Sequence, residues 1–310
     1  MQKLVYIMDI RTAKRVFLTA KQAQGVTGRT LEVYTTELNR FFEFAVARNL
    51  YDVADITADI IREFLNSLKS SNKLRNITIH RYFRELRTLF LFLYREDYIA
   101  VNPMKHIEAP KIEQKQMRTF TGKEISTLLN SFDKNDFFGM RNYCIMATFF
   151  STGIRKMELL NLRTADLNIT NDLIRIDGKG NKERYVPIGK TLRRIFIQYQ
   201  KMRIVYLADE SCHWLFPNRA KQKMTNSGIN MLFQKLKTEL KLTGEKVSSH
   251  TWRHTFAKNY LLNGGDVFSL QKIMGHADLE TTRGYLSLND EEMKLQHARY
   301  NPLDNKDWLY

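Results

Sequence analysis

Residues 141–162 read RNYCIMATFFSTGIRKMELLNL, and this stretch joins an apolar helical run to a charged turn. The apolar run continues to Thr152, Gly153 interrupts it, and helical spacing resumes after the glycine. Two charged residues, Arg155 and Glu158, come directly after the break. The stretch therefore predicts an apolar helix that ends at a glycine, followed by a short helix that carries a cation and a carboxylate.

The rest of the second half combines one hairpin with helices. Apolar residues alternate on both sides of a glycine-rich turn at residues 177–181, which predicts a β-hairpin over residues 172–189. Helical spacing covers the other segments: residues 191–207, 226–240, 250–263, 267–274 and 279–286. The predicted fold class is mainly α-helical with a small β-hairpin or sheet, so the second half is an α+β domain.

The first half reads as helices alone. Apolar stripes predict helices over residues 30–49, 55–69 and 76–95. A polar stretch beginning near Pro110 predicts a flexible linker. The capping-box pattern that starts at Thr121 predicts a new helix and a new domain.

These patterns divide the chain into four parts. We expect a helical domain over residues 1–110, a linker over 111–120, a second domain over 121–290 and a C-terminal tail over 291–310. The apolar residues of the tail belong either to the core or to a segment that docks on a neighbouring copy of the chain.

A second stripe on the predicted helix at residues 76–95 is basic. Arg81, Arg84 and Arg87 recur every three residues, with His80 and Arg75 near the start of the helix. With only a glutamate at position 85 close by, these guanidinium groups repel each other unless an anion lies among them. A solvated face is the alternative, but we expect contacts with DNA phosphates.

The charge balance supports a polyanionic partner. Lys and Arg number 49 against 33 Asp and Glu, a net charge of +16. Both halves are basic, so an isolated basic tail does not explain the charge. The longest apolar runs are too short to span a bilayer, the start of the chain has no signal-peptide pattern, and two distant cysteines form no disulfide framework. We expect a cytoplasmic, nucleoid-associated protein with no membrane partner.

The chemistry-bearing residues of the second half suit a phosphate. Four motifs supply two arginines, histidines, a lysine and a tyrosine: Arg155, Lys179, His250, Arg253, His276 and Tyr285. Arginine binds phosphate oxygens bidentately, histidine and lysine transfer protons, and tyrosine can act as a covalent nucleophile. The residues thus favour phosphoryl transfer on nucleic acid through a tyrosine, with no metal and no cofactor.

Two alternatives weaken individual assignments. Lys182 competes with Lys179 for the lysine role. His250 and His254 have the spacing of zinc ligands, but Thr251 stands where a zincin has its glutamate, and Arg253 would repel a cation.

The order of these motifs resembles that of the tyrosine recombinase (phage integrase) family over nearly the whole chain. The matching motifs are Thr152-Gly-Ile-Arg155-x-x-Glu158-Leu, Gly178-Lys179-Gly-Asn-Lys182-Glu-Arg184, His250-x-x-Arg253-His254, Met274-Gly275-His276 and Thr281-Thr-Arg-Gly-Tyr285. No motif position is substituted. The resemblance implies an N-terminal helical, SAM-like core-binding domain and a C-terminal catalytic domain that together form a clamp around DNA.

The resemblance also implies a role for each motif residue. Tyr285 attacks the scissile phosphate and forms a 3′-phosphotyrosine. Arg155 and Arg253 bind the non-bridging oxygens, Lys179 protonates the leaving 5′-oxygen, and His250 assists proton transfer. The remaining expected roles are a phosphate contact from His276, orientation of the cationic cluster by Glu158, and DNA contacts from Arg75, Arg81, Arg84, Arg87, Lys182 and Arg184.

The implied function is site-specific DNA recombination through a Holliday junction, without ATP. We expect a homo-tetramer on double-stranded DNA with inverted-repeat core sites, with accessory DNA-bending or directionality proteins as further partners. The sequence around Tyr285 favours an integrase or transposase of a mobile element; an Xer-like resolvase of chromosome or plasmid dimers is the alternative. A non-catalytic DNA-binding regulator and a type IB topoisomerase are competing functions of other classes.

Overall fold

The computed structural model describes residues 8–70, 74–112, 118–178, 183–208, 211–239, 241–242, 247–275, 292–294 and 297–298. The chain forms two compact units, Met1–Lys115 and Gln116–Tyr310. Among the described helices, none combines the length and the apolar character that crossing a membrane requires.

The first unit contains four α-helices in its described part. They are α1 (Ile10–Ala23), α2 (Gly28–Val46), α3 (Ala58–Ser70) and α4 (Asn76–Arg95), with a 3₁₀ turn at Val53–Asp55. Helix α4 has the predicted bounds, α3 begins three residues after its predicted start, and α2 begins two residues before its predicted start. Helix α1 starts after Asp9, whose carboxylate accepts hydrogen bonds from the backbone N–H groups of Arg11 and Thr12.

Helix α4 organises the core of the first unit. It packs against α1, α2 and α3. Its apolar face meets a cluster of aromatic rings in which Phe41 contacts Phe64 edge-to-face at 5.1 Å and Phe90 at 6.1 Å. These three side chains are at most 1% exposed. The opposite face of α4 is thereby left for the basic stripe.

The second unit contains helices and one small sheet. Its described elements are α5 (Gly122–Asn130), α6 (Phe137–Thr152), α7 (Lys156–Asn161), β1 (Leu167–Asn168), β2 (Leu173–Asp177), β3 (Glu183–Pro187), α8 (Lys190–Leu207), α9 (Asn226–Glu239), α10 (Ser249–Leu262) and α11 (Val267–Met274). The strands pair antiparallel in the order β1-β2-β3, with Ile176 opposite Arg184. The predicted hairpin is confirmed, and the two-residue strand β1 adds a third strand that the sequence pattern did not predict.

The apolar helix α6 is the centre of the second unit, between α8 and α10. Its side chains are buried on nearly all faces, and Cys144 is a fully buried core residue. The predicted capping box is confirmed: Thr121 and Glu124 exchange backbone and side-chain hydrogen bonds at the start of α5.

The structure places the end of the expected linker inside the second unit. Phe120 is 3% exposed, and its ring lies 4.8 Å from that of Trp252 on α10. Arg118 pairs with Glu124 at 2.6 Å. Residues 118–120 are therefore packed residues of the second unit, because an aromatic side chain in this segment fills the core next to α10.

Candidate active site

The glycine that ends α6 determines where the first arginine lies. Gly153 has a left-handed backbone (φ 59°), and a Cβ atom at this position would lie 2.3 Å from the ring of Phe256. Only glycine fits such a position without strain. The chain turns there and begins α7 after Arg155, while Glu158 at the third helical position accepts the backbone N–H of Arg155 at 2.8 Å.

The side chain of Arg155 extends from α7 to the end of α11. Its Nη1 donates to Oε1 of Glu158 at 2.9 Å, and its Nη2 donates to the carbonyl of Gly275 at 3.0 Å. The side chain remains 44% exposed. Arg155 is thus oriented on two sides and open to solvent on the rest of its surface.

Arg253 on α10 reaches the same place from the interior. The residue is 5% exposed. Its Nη1 donates to the carbonyl of Gly153, and its Nη2 donates to the carbonyl of Met274 at 2.8 Å. Arg155 and Arg253 therefore bind the carbonyls of two consecutive residues, 274 and 275, and the structure brings the two predicted arginines together.

A third arginine joins them through Glu158. Arg184 on β3 donates from Nη1 and Nη2 to the two carboxylate oxygens of Glu158, at 3.0 and 2.8 Å. Burial raises the pKa of Glu158, but the hydrogen bonds and charge of Arg184, together with those of Arg155, outweigh burial and lower this pKa to about 2. Glu158 is therefore a carboxylate at neutral pH, shared by two guanidinium groups.

The two histidines of α10 both have a lowered pKa. His250 lies in the first turn of the helix and is exposed. Desolvation and the nearby charges of Arg253, Lys156 and Arg155 lower its pKa below the usual 6.5. Desolvation, His250 and Arg253 lower the pKa of His254 to about 4. A neutral imidazole at position 250 can accept a proton.

Four predicted site residues lie outside the described residues: Lys179, Lys182, His276 and Tyr285. Three of them belong to segments that adjoin described residues in the chain. Residues 178–182 link the paired residues Asp177 and Glu183 at the end of the hairpin. His276 follows Gly275, whose carbonyl accepts a hydrogen bond from Arg155.

The described side chains of the site have an excess of positive charge. Arg155 and Arg184 share the carboxylate of Glu158, and Arg253 adds a third guanidinium group, which leaves a net charge of +2 on these four residues at neutral pH. Within the described ranges, no group of three or more His, Cys, Asp or Glu residues could hold a metal ion. Such an excess of positive charge can attract an anion, and its permanent cations can offset the charge that grows on a phosphate during phosphoryl transfer.

The basic stripe of the first unit lies on the exposed face of α4. Arg75, Arg81, Arg84 and Arg87 are all exposed. Beside them is a cavity of about 210 Å³ lined by Ile77, Thr78, His80, Arg81 and Arg84. Their exposure leaves these arginines accessible to DNA, and DNA contact by them stays a prediction.

The charge environment of this stripe differs from the expected one. Arg81 pairs with Glu37, a buried residue of α2, and Arg84 lies 3.5 Å from the buried Glu85. Burial raises the pKa of both carboxyl groups, against the lowering effect of these arginines. The protein therefore supplies two acidic groups of its own beneath the stripe, where the sequence offered only one.

The contacts of Arg184 differ most from those that the sequence led us to expect. It was expected to contact DNA, but three of its N–H groups donate to Glu158 and to the carbonyl of Ile273, and its side chain is 14% exposed. Strand alternation could have shown that Arg184 lies on the same face of β3 as the buried Val186 and therefore points into the protein. No local pattern could have named Glu158, which precedes Arg184 by 26 residues.

Models of two known domains match the chain. The phage integrase family matches residues 118–292, and the phage integrase SAM-like domain matches residues 15–116. Among curated relatives, the tyrosine recombinase XerC of Thermodesulfovibrio yellowstonii is 29% identical over 93% of this chain and 95% of its own. The XerC of Anoxybacillus flavithermus is 30% identical over 88% of this chain and 91% of its own.

Solved structures have the same fold. The XerH site-specific recombinase, bound to a palindromic difH substrate after cleavage, has a TM-score of 0.72 at 24% identity, over 93% of this chain and 84% of that one. The Tn1549 transposon integrase, in complex with transposon right end DNA, has a TM-score of 0.73 at 17% identity, over 94% of this chain and 99% of that one. Since the family model spans more than half of the chain and a relative at 30% identity covers most of it, the chain belongs to the phage integrase family of tyrosine recombinases.

Proposed function

We propose that the protein is a site-specific DNA recombinase that cuts and rejoins DNA strands through a covalent phosphotyrosine. The observation that carries this proposal is the convergence of Arg155 and Arg253 on the adjacent carbonyls of Met274 and Gly275. Two fixed guanidinium groups at one point suit the non-bridging oxygens of a single phosphodiester.

The proposed reaction uses only side chains of this chain. The phenolic oxygen of Tyr285 attacks the scissile phosphorus and releases the 5′-oxygen of the next nucleotide, to which Lys179 gives a proton. His250 accepts the tyrosine proton. Arg155 and Arg253 offset the charge on the non-bridging oxygens in the transition state. The phosphodiester is exchanged for a phosphotyrosine ester, so rejoining needs no ATP.

Binding to double-stranded DNA involves both units in this proposal. The stripe of Arg81, Arg84 and Arg87 contacts backbone phosphates, which gives affinity without sequence preference. Four protomers act on two duplexes with inverted-repeat core sites. Their exchange of strands passes through a Holliday junction.

For the biological role we propose a mobile-element integrase or transposase, from the residues around Tyr285. The similarity in fold to the Tn1549 transposon integrase over 99% of that chain agrees with this role. The Xer-like alternative is favoured by a different observation: XerC and XerD relatives match the chain over 91–93% of its length and 94–95% of theirs. The position of the target sites separates the two roles.

Covalent trapping tests the reaction. Wild-type protein and the Tyr285→Phe variant are incubated with nicked duplexes taken from the DNA that flanks the gene, denatured, and the protein-linked DNA is sequenced. We expect an adduct with the wild type alone, at a repeated inverted motif. Tyr51→Phe, which alters an exposed tyrosine of the first unit, is the matched control and should form the adduct normally.

Three results would change the proposal. Equal adduct from wild type and Tyr285→Phe would exclude Tyr285 as the nucleophile. DNA binding without any adduct would favour a regulator that performs no cleavage. Adducts at element ends support the mobile-element role, whereas adducts at one chromosomal site for dimer resolution support the Xer-like role.

A further inference from the structure

Arg184 connects three elements of the second unit at the candidate active site. From β3, its Nη1 and Nη2 donate to the two carboxylate oxygens of Glu158 on α7, at 3.0 and 2.8 Å. Its Nε donates to the carbonyl of Ile273 near the end of α11, at 2.9 Å. A paired fork of this kind fixes both the position and the rotation of a carboxylate.

The arrangement around Glu158 limits how strongly that carboxylate can neutralise Arg155. Oε1 accepts from both Arg155 and Arg184, and Oε2 accepts from Arg184 and from the backbone N–H of Arg155. Because both oxygens are shared, Glu158 orients Arg155 while the positive charge of Arg184 offsets the negative charge of Glu158. Without Arg184, the carboxylate would be free to rotate toward Arg155 and reduce the positive charge available to a phosphate.

Arg184 also packs against the residue that accepts the other hydrogen bond of Arg155. Gly275 has a left-handed backbone (φ 64°), and a Cβ atom there would lie 3.0 Å from Cζ and Nε of Arg184. The carbonyl of Gly275 is the one that Nη2 of Arg155 binds. Arg184 is thus in contact with both anchors of Arg155.

The exposure of the two side chains indicates different roles. The side chain of Arg184 is 14% exposed, against 44% for Arg155. Arg155 therefore has an exposed surface that a ligand can contact. Arg184 instead directs its Nε, Nη1 and Nη2 to Ile273 and Glu158 within the protein.

We propose that Arg184 is a positioning residue for strand cleavage, which acts through Glu158 to present Arg155 to the scissile phosphate. This inference rests on the proposed recombinase function and assigns Arg184 a part in it other than direct DNA contact.

The test is a double-mutant cycle on the rate of covalent adduct formation, measured at saturating nicked DNA, with DNA affinity measured separately. The variants are Arg184→Lys, Arg184→Gln, Glu158→Gln and Arg184→Gln combined with Glu158→Gln. Arg175→Gln is the matched control. It removes an arginine from the adjacent strand β2 whose Nε and Nη2 donate to Asp166 at 3.0 and 2.6 Å. Thermal unfolding of each variant shows that it is folded at the assay temperature.

We expect both Arg184 variants to lower the maximal rate about 10- to 100-fold, as displacement of a catalytic group does. Their DNA affinity should stay within about twofold of wild type, and Arg175→Gln should cleave like wild type. In the Glu158→Gln background, Arg184→Gln should lower the maximal rate by less than about twofold, because the residue through which Arg184 acts is already altered.

The inference is overturned by any of four results. The first is that the Arg184 variants cleave like Arg175→Gln. The second is that their defect lies in DNA affinity alone, as for a direct phosphate contact. The third is that their effect on the rate is undiminished in the Glu158→Gln background. In each of these cases the wild type forms its adduct, so the recombinase proposal survives. If the wild type forms no adduct on any flanking site, the recombinase proposal fails and this inference fails with it.

Discussion

The backbone N–H of Phe120 donates to Oγ1 of Thr255 at 2.8 Å, and this bond attaches the first residues of the second unit to α10. Both groups are buried, and the ring of Phe120 packs on Trp252 beside them. The helix so attached carries Arg253. The end of the expected linker is thus part of the framework that positions an arginine of the candidate active site.

Replacing Thr255 by Val removes the hydroxyl and keeps the shape of the side chain. The buried N–H of Phe120 then has no acceptor from this side chain, so we expect Thr255→Val to lower the free energy of unfolding by about 1–3 kcal/mol. Urea unfolding followed by tryptophan fluorescence measures the second unit, because all three tryptophans follow residue 116. The control is Thr127→Val, an exposed threonine of α5, which should change stability by less than about 0.5 kcal/mol. Equal unfolding midpoints for the two variants would contradict the structural role of the bond.

The low pKa of Glu158 makes stability depend on pH in a definite direction. The folded pKa of about 2 lies below the ordinary 4.5, so the unfolded chain binds the proton more readily. The stabilising contribution is therefore fully present above pH 4.5 and is lost as the pH falls toward 2. We expect Glu158→Gln to lower the free energy of unfolding at pH 7 by about 3 kcal/mol.

The measurement is urea unfolding of wild type and Glu158→Gln at a series of pH values. The difference between them should narrow as the pH falls below 4.5. Glu183→Gln, which alters a half-exposed carboxylate of β3, should have a small effect at every pH. A difference between wild type and Glu158→Gln that is the same at acid and neutral pH would mean that the charge of Glu158 does not stabilise the fold.

The exposed arginines of α4 should determine the salt dependence of DNA binding. Arg84→Ala or Arg87→Ala removes one phosphate contact, so each should reduce the slope of log affinity against log salt by about 0.9. The loss of affinity should be uniform across DNA sequences, since a phosphate contact reads no base. Fluorescence anisotropy at several salt concentrations measures both quantities. Arg62→Ala, which alters a surface arginine of α3 paired with Asp59, is the control. An unchanged slope in the α4 variants would mean that this face of the helix meets only solvent.

The sequence predicted those features that depend on neighbouring residues. The apolar pattern of α4 is long and regular, so both ends of this helix were predicted to the residue. The capping box at Thr121 gave the start of α5 because both partners lie within one turn. The break at Gly153 likewise predicted the short helix α7 that carries Glu158.

Features that depend on packing between distant segments could not be predicted. Glu37 occupies a position of α2 where the pattern gave no reason to expect a buried acid, and its contact with Arg81 exists only because α2 packs on α4. The pair of Arg184 with Glu158 likewise requires β3 to lie beside α7. Phe120 stood in a polar stretch, and only the presence of Trp252 opposite it shows that it belongs to a core.

Gly153 is the position where a single methyl group should disturb both the fold and the site. Alanine there would have to adopt a left-handed backbone and place its Cβ 2.3 Å from the ring of Phe256. The two effects together should cost about 2–4 kcal/mol of unfolding free energy. The carbonyl of Gly153 also accepts from Arg253, so adduct formation should fall even at temperatures where the variant is folded.

Gly122→Ala is the matched control, because this residue begins α5 with nothing within 4 Å of an added Cβ, and alanine should stabilise the helix by up to about 1 kcal/mol. Thermal unfolding and the trapping assay measure the two effects. If Gly153→Ala matches Gly122→Ala in both, the turn at Gly153 is not what places the two arginines.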